Sequence, residues 1–158
     1  MPESISKLAA VEQYVSEGFS PWPCSPGTKT PWNVDGATWG GRRHIPLTEA
    51  QRKKTWSKRN APDILLVIPE GRFVLDLDPK NNPNVKRMFD NLIAMTRCAW
   101  TPSGGLHAYF LVNGSAPTID PALGVDVQGR FALVVAPPSR GRKWANELPE
   151  CEWTARIG

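Results

Sequence analysis

Apolar residues recur along this chain at two spacings, one helical and one alternating. Leu8, Val11, Tyr14 and Val15 fall three and four apart, which predicts an amphipathic helix over residues 4–17, with Ser4 as cap and Gly18 as stop. Pro21 to Trp32 carries four prolines and a glycine, which excludes a helix; with two tryptophans it reads as an ordered loop. Residues 33–47 read as irregular. Thr48-Glu49-Ala50-Gln51 has the form of a capping box, so a second helix is expected from Glu49 to about Arg59, ended by Pro62. Ile64 to Ile68 is a continuous apolar run of strand length. Pro69-Glu70-Gly71 then leads into Phe73 to Leu77, and the spacing predicts that these two strands pair as a hairpin. Asn82 and Pro83 open a third helix, whose apolar face is Val85, Met88, Phe89, Leu92, Ile93 and Thr96.

From Cys98 onward the period is two. Short strands are expected at Cys98–Thr101, His107–Val112, Val125–Gln128 and Phe131–Ala136, with a last one at Glu152–Thr154. His107, Tyr109 and Leu111 share one face of their strand. The order of elements predicts an α+β fold with a helix packed on one face of a sheet.

Composition changes this picture little. At 158 residues, 41% hydrophobic and 22% charged, the chain has the size and make-up of one globular domain. No apolar run approaches a membrane span and no signal-peptide core is present, so the expectation is a cytoplasmic protein with no membrane partner. Three cysteines, Cys24, Cys98 and Cys151, have neither metal-ligand nor disulfide spacing and read as small buried hydrophobes.

Charge is more informative. The net value is +4, but Arg42, Arg43, Arg52, Lys53, Lys54, Lys58 and Arg59 are clustered, and Arg130, Arg140, Arg142 and Lys143 form a second group. Such groups suit a polyanion; the alternative for the first is a solvated helix face. His44, after Arg42 and Arg43, reads as a surface residue.

Candidate chemistry centres on Phe73-Val74-Leu75-Asp76-Leu77-Asp78-Pro79. Asp76 and Asp78 lie two apart and point to one face of a strand. Paired carboxylates repel unless a cation or a basic group lies between them, and hard oxygen donors favour Mg²⁺ or Mn²⁺. The alternative is that Asp78-Pro79 opens a turn and Asp76 faces solvent. In Ser103-Gly104-Gly105-Leu106-His107, glycines let backbone N–H groups approach an anion, with Ser103 and His107 as further donors; the alternative is a tight hairpin with a packed histidine. Asp126, between Val125 and Val127, needs a partner that a metal would supply. Lys29, just after Pro26-Gly27, is either a phosphate-reaching or an exposed lysine.

In their order, these motifs resemble the archaeo-eukaryotic primase superfamily. More narrowly they resemble the bifunctional primase-polymerase domains at the N-terminus of phage and plasmid replication proteins. The resemblance is carried by Val74 to Pro79, Thr101 to Phe110, Gly124 to Val127 and Val134 to Ser139, with Pro26 to Pro31 ahead of them. It implies a nucleotidyltransferase acting as DNA primase or DNA polymerase. Asp76, Asp78 and Asp126 would hold two divalent ions, Mg²⁺ or Mn²⁺. Ser103, Gly104 and His107, with Lys29 and Arg130, would bind the nucleoside triphosphate. Single-stranded template and primer are the implied partners, with a helicase domain in the full-length protein.

The implied fold is an N-terminal α/β unit (about residues 1–70) packed against an RNA-recognition-motif-like antiparallel sheet (about 71–158), with the active site between them. The whole would be one catalytic domain of a longer replication protein. Two positions depart from the pattern: Gln128 stands where many relatives carry a basic residue, and Arg130-Phe131 where a glycine pair often follows. Two other classes stay open. A metal-dependent nuclease would use the same carboxylates, although it needs no triphosphate cradle. A non-catalytic binder of single-stranded nucleic acid would use the tryptophans and basic groups, but leaves the aspartates unexplained.

Overall fold

The computed structural model describes residues 6–40 and 45–154. The expected Ser4 cap, Arg42, Arg43 and His44 lie outside the described residues. In chain order the elements are α1 (Lys7–Ser16), β1 (Ser20–Cys24), α2 (Glu49–Trp56), β2 (Asp63–Val67), β3 (Arg72–Leu77), a 3₁₀ segment Pro83–Met88 running into α3 (Phe89–Met95), β4 (Cys98–Trp100), β5 (Leu106–Leu111), β6 (Val125–Gln128), β7 (Leu133–Ala136), β8 (Lys143–Trp144) and β9 (Cys151–Glu152).

The fold is α+β, as the sequence predicts, and its strands form two sheets. The first has the order β1-β2-β7, all antiparallel. The second has the order β6-β3-β5-β4-β8, with β9 pairing parallel to β5. The first sheet therefore takes its third strand from beyond residue 130.

Two expectations are corrected. Pro21 to Cys24 is a strand rather than a loop. It survives two prolines because β1 is an edge, where the missing N–H groups cost no ladder bond. Residues 64–68 and 73–77 do not pair as a hairpin. Ile68 instead exchanges backbone bonds with Ala132 and Phe131, extending the β2–β7 ladder. Both flanks of β3 are taken by β5 and β6.

The first helix is capped at Ser6 rather than at the expected Ser4, while the second starts at the expected capping box. Ser6 caps α1, accepting from Ala9 N–H, and Gly18 follows its end at φ +93°. Thr48 and Gln51 form the full capping box of α2. The third helical segment is 3₁₀ over its first half, and it buries Val85, Phe89 and Leu92.

Two apolar clusters fix where the second sheet sits. Val74, Ala99 and Tyr109 on its inner face join Tyr14, Phe19, Trp22, Trp56 and the β2 apolar run. Phe73, Leu75, Leu77, Leu106, Ala108 and Phe110 on its outer face pack against Val85, Phe89 and Leu92. Cys24 and Cys98 are buried free thiols, and Cys151 is half-buried. No helix among the described residues is long and apolar enough to cross a membrane.

Candidate active site

Strand alternation sends Phe73, Leu75 and Leu77 into the outer core, so Val74 and Asp76 must face inward. Asp76 is the register partner of His107 on β5 and of Asp126 on β6. Register partners share a face, with Cβ atoms about 5 Å apart. A row of carboxylate, carboxylate and imidazole thus crosses β6, β3 and β5 on the inner face. Burial deepens along it: Asp126 is exposed, the Asp76 side chain is 28% accessible, and His107 is buried.

His107 Nε2 lies 3.4 Å from Asp76 Oδ1. On the other side of the ring, Arg142 Nη1 lies 3.4 Å from Nδ1. An arginine can only donate, so Nδ1 accepts and Nε2 carries the proton facing Asp76. Burial pushes the Asp76 carboxyl up, but His107, Lys29 and Arg142 outweigh it and hold it below its ordinary value. Burial lowers the Arg142 guanidinium, and its Nε is buried without an acceptor.

Three loops close over this end of the sheet. Asp78 makes its own turn, Oδ1 accepting from Lys80 N–H (3.0 Å). The glycine turn joins β4 to β5: Gly104 takes φ +77°, and Gly105 has room for no side chain. Ser103 and Gly104 are exposed at its tip, with Ser103 Oγ 3.3 Å from Thr101 Oγ1. The third loop, Ser139 to Arg142, packs Gly141 against Pro102 of that turn. It is fastened from beneath. Ser139 Oγ accepts from Ile64 N–H (2.7 Å), and Asp63 Oδ1 accepts from Arg140 N–H (3.1 Å). Asp63 Oδ2 also accepts from Gly27 N–H (3.3 Å), which ties in the loop that carries Lys29.

The structure therefore brings Asp76, Asp126 and His107 into one row, with Lys29 close enough to act on Asp76. Asp78, Ser103 and Gly104 stand at the strand ends beside it. Arg130 is not brought in. It follows β6 at the end that pairs with Val74, away from the glycine turn, and its guanidinium lies over the Phe131 ring. Sequence reasoning missed two residues. Arg142 stood in a basic group suited to a polyanion, with nothing local to single it out from its neighbours. Asp63 stood beside an apolar run, a buried carboxylate that no solvated turn explains.

Among the described residues, no three His, Cys, Asp or Glu side chains are gathered into a metal site. The donor set nonetheless fits a hard cation. Asp76 and Asp126 are like charges directly opposite each other, an arrangement that destabilises a sheet unless a cation offsets it. Mg²⁺ is commonly held by one or two carboxylates plus substrate phosphates rather than by a closed protein cage.

A family model described as "Bifunctional DNA primase/polymerase, N-terminal" matches residues 11–154. A search of curated proteins finds no match.

Proposed function

Since the chain belongs to the family of bifunctional DNA primase/polymerase N-terminal domains, whose members are nucleotidyltransferase-type enzymes, we propose that it is a template-directed nucleotidyltransferase that starts or extends a strand from nucleoside triphosphates. The observation that carries this reading is the register row Asp126–Asp76–His107 on the inner face of the second sheet. In that row Asp76 and Asp126 would hold Mg²⁺ or Mn²⁺, with Asp78 at the strand end as a further oxygen donor, and the ions would supply charge neutralisation for the attacking hydroxyl and the leaving pyrophosphate.

The remaining residues bind and orient. Arg142, braced by His107, supplies the cationic donor wall for the triphosphate. Ser103, Gly104 and the backbone of their turn add neutral donors. Lys29 supplies a mobile positive charge from the loop that Asp63 anchors.

The test is a primed template incubated with Mn²⁺ or Mg²⁺ and labelled nucleotides. Lengthening of the primer is the expected outcome. Shortening would favour a nuclease, and a gel shift without chemistry would favour a non-catalytic binder. Asp76→Ala and Asp126→Ala are each expected to cut extension by more than about a hundredfold, beyond the loss typical of residues that only support a metal ligand. Template binding should hold or tighten, because a negative charge is removed. Wild-type extension in either variant removes the metal row from the mechanism. Arg142→Ala should raise the nucleotide concentration required by about ten- to a hundredfold, the worth of one hydrogen bond to a charged group, and His107→Ala, which releases Arg142, should raise it less.

A further inference from the structure

A cavity of about 690 Å³ opens beside α1 and the end of α2, with Asp63 in its lining. Lys7, Lys58, Arg59 and Arg140 line it, against a single carboxylate, Asp63. Lys7 spends its charge on Asp63 and on the Ala61 carbonyl oxygen. Lys58, Arg59 and Arg140 are exposed and form no ion pair among the described residues. A concave surface whose cations outnumber its carboxylates concentrates anions. Trp56 forms part of the same wall.

The cavity shares a joint with the candidate active site. Asp63 accepts from Gly27 N–H and from Arg140 N–H, so it fastens both loops at once. The loop that carries Lys29 toward Asp76 presents Pro26 to the cavity. The loop that carries Arg142 to His107 presents Arg140 to it. Positive charge thus continues from the row, around the Asp63 joint, to Lys58 and Arg59. A mononucleotide would occupy only one side of that joint. Cations on both sides match a longer polyanion.

We propose that this cavity binds the phosphodiester backbone of single-stranded nucleic acid, as the stretch of template flanking the site. Calling the strand a template rests on the nucleotidyltransferase reading; the affinity for a strand does not.

The test is fluorescence anisotropy with a labelled oligothymidylate across a salt series, with no nucleotide and no divalent ion. Lys58→Ala/Arg59→Ala is compared with Lys86→Ala/Arg87→Ala, which removes the same charge from the 3₁₀ segment. The first pair should lose about tenfold in affinity, and its log–log salt slope should flatten by about 1.4, two phosphate contacts at about 0.7 each on a single strand. The control pair should keep the wild-type slope. Equal weakening in both pairs, or none in the first, overturns the proposal. So does a Lys58→Ala/Arg59→Ala protein that loses inorganic tripolyphosphate binding yet keeps the oligonucleotide. Wild-type protein that extends no primer but binds the strand through Lys58 and Arg59 would remove the catalytic reading and uphold the cavity.

Discussion

Glu150 is a carboxylate brought almost out of water between two arginines. Its side chain is 7% accessible, with Arg72 Nε at 2.9 Å and Arg97 Nη1 at 3.7 Å. Burial pushes its carboxyl up; Arg72 and Arg97 pull it down, Glu17 pushes it up again, and the net direction is upward. A raised folded value means that the protonated form is the better tolerated. The contribution is fully present below the unfolded value, about 4.3, and is lost as pH rises through the folded one. Wild-type stability relative to Glu150→Gln should therefore fall as pH rises above about 4 and through the raised folded value. Urea midpoints of the two proteins across that range check it, and a gap that widens in favour of wild type contradicts it. Arg142 and Asp63 teach a related lesson. Asp63 is buried and Arg142 half-buried, and the partners of both come from distant segments, so no local pattern in the text marks them.

At the scale of the element, the glycine turn is the most tightly specified piece of the site. A Cβ on Gly105 would stand 2.6 Å from the Leu77 carbonyl oxygen and 2.8 Å from Thr101 Oγ1. Backbone cannot yield as a flexible side chain can, so Gly105→Ala should cost about 1–3 kcal/mol by overpacking. Because the displaced turn carries Ser103, the nucleotide requirement should rise with it. Denaturant unfolding and nucleotide titration of one variant measure both, and wild-type values in both would contradict the close packing. Elements with a clean period were legible in the sequence: the α2 capping box, the β2 apolar run, and the alternation of β5 and β6. The β1 strand was not, because prolines forbid a helix but leave an edge strand open. The missing hairpin was invisible for another reason. Sequence adjacency favoured β2 beside β3, whereas long-range pairing gave β2 to β7 and both sides of β3 to β5 and β6. The row Asp126–Asp76–His107 was readable as residue types and order, but its register was not.

For the molecule as a whole, the return of β7 to the first sheet ties the two layers together. One apolar cluster also runs from α1 and β2 to Val74, Ala99 and Tyr109 on the second sheet. Neither layer can lose its strands without opening the other's core. Urea unfolding followed by tryptophan fluorescence and by far-ultraviolet circular dichroism should give coincident single transitions. Two separated steps would mean that the layers unfold independently.

Among the described residues, the strand that carries Asp126 is at the edge of its sheet, with one flank unpaired. Val125-Asp126-Val127 without its charge is a short, neutral, β-prone stretch on an unprotected rim. A carboxylate there deters a second copy from zippering on. Replacing it with valine to obtain an inert control would also invite clumping, so asparagine is the safer choice when a soluble inactive protein is wanted.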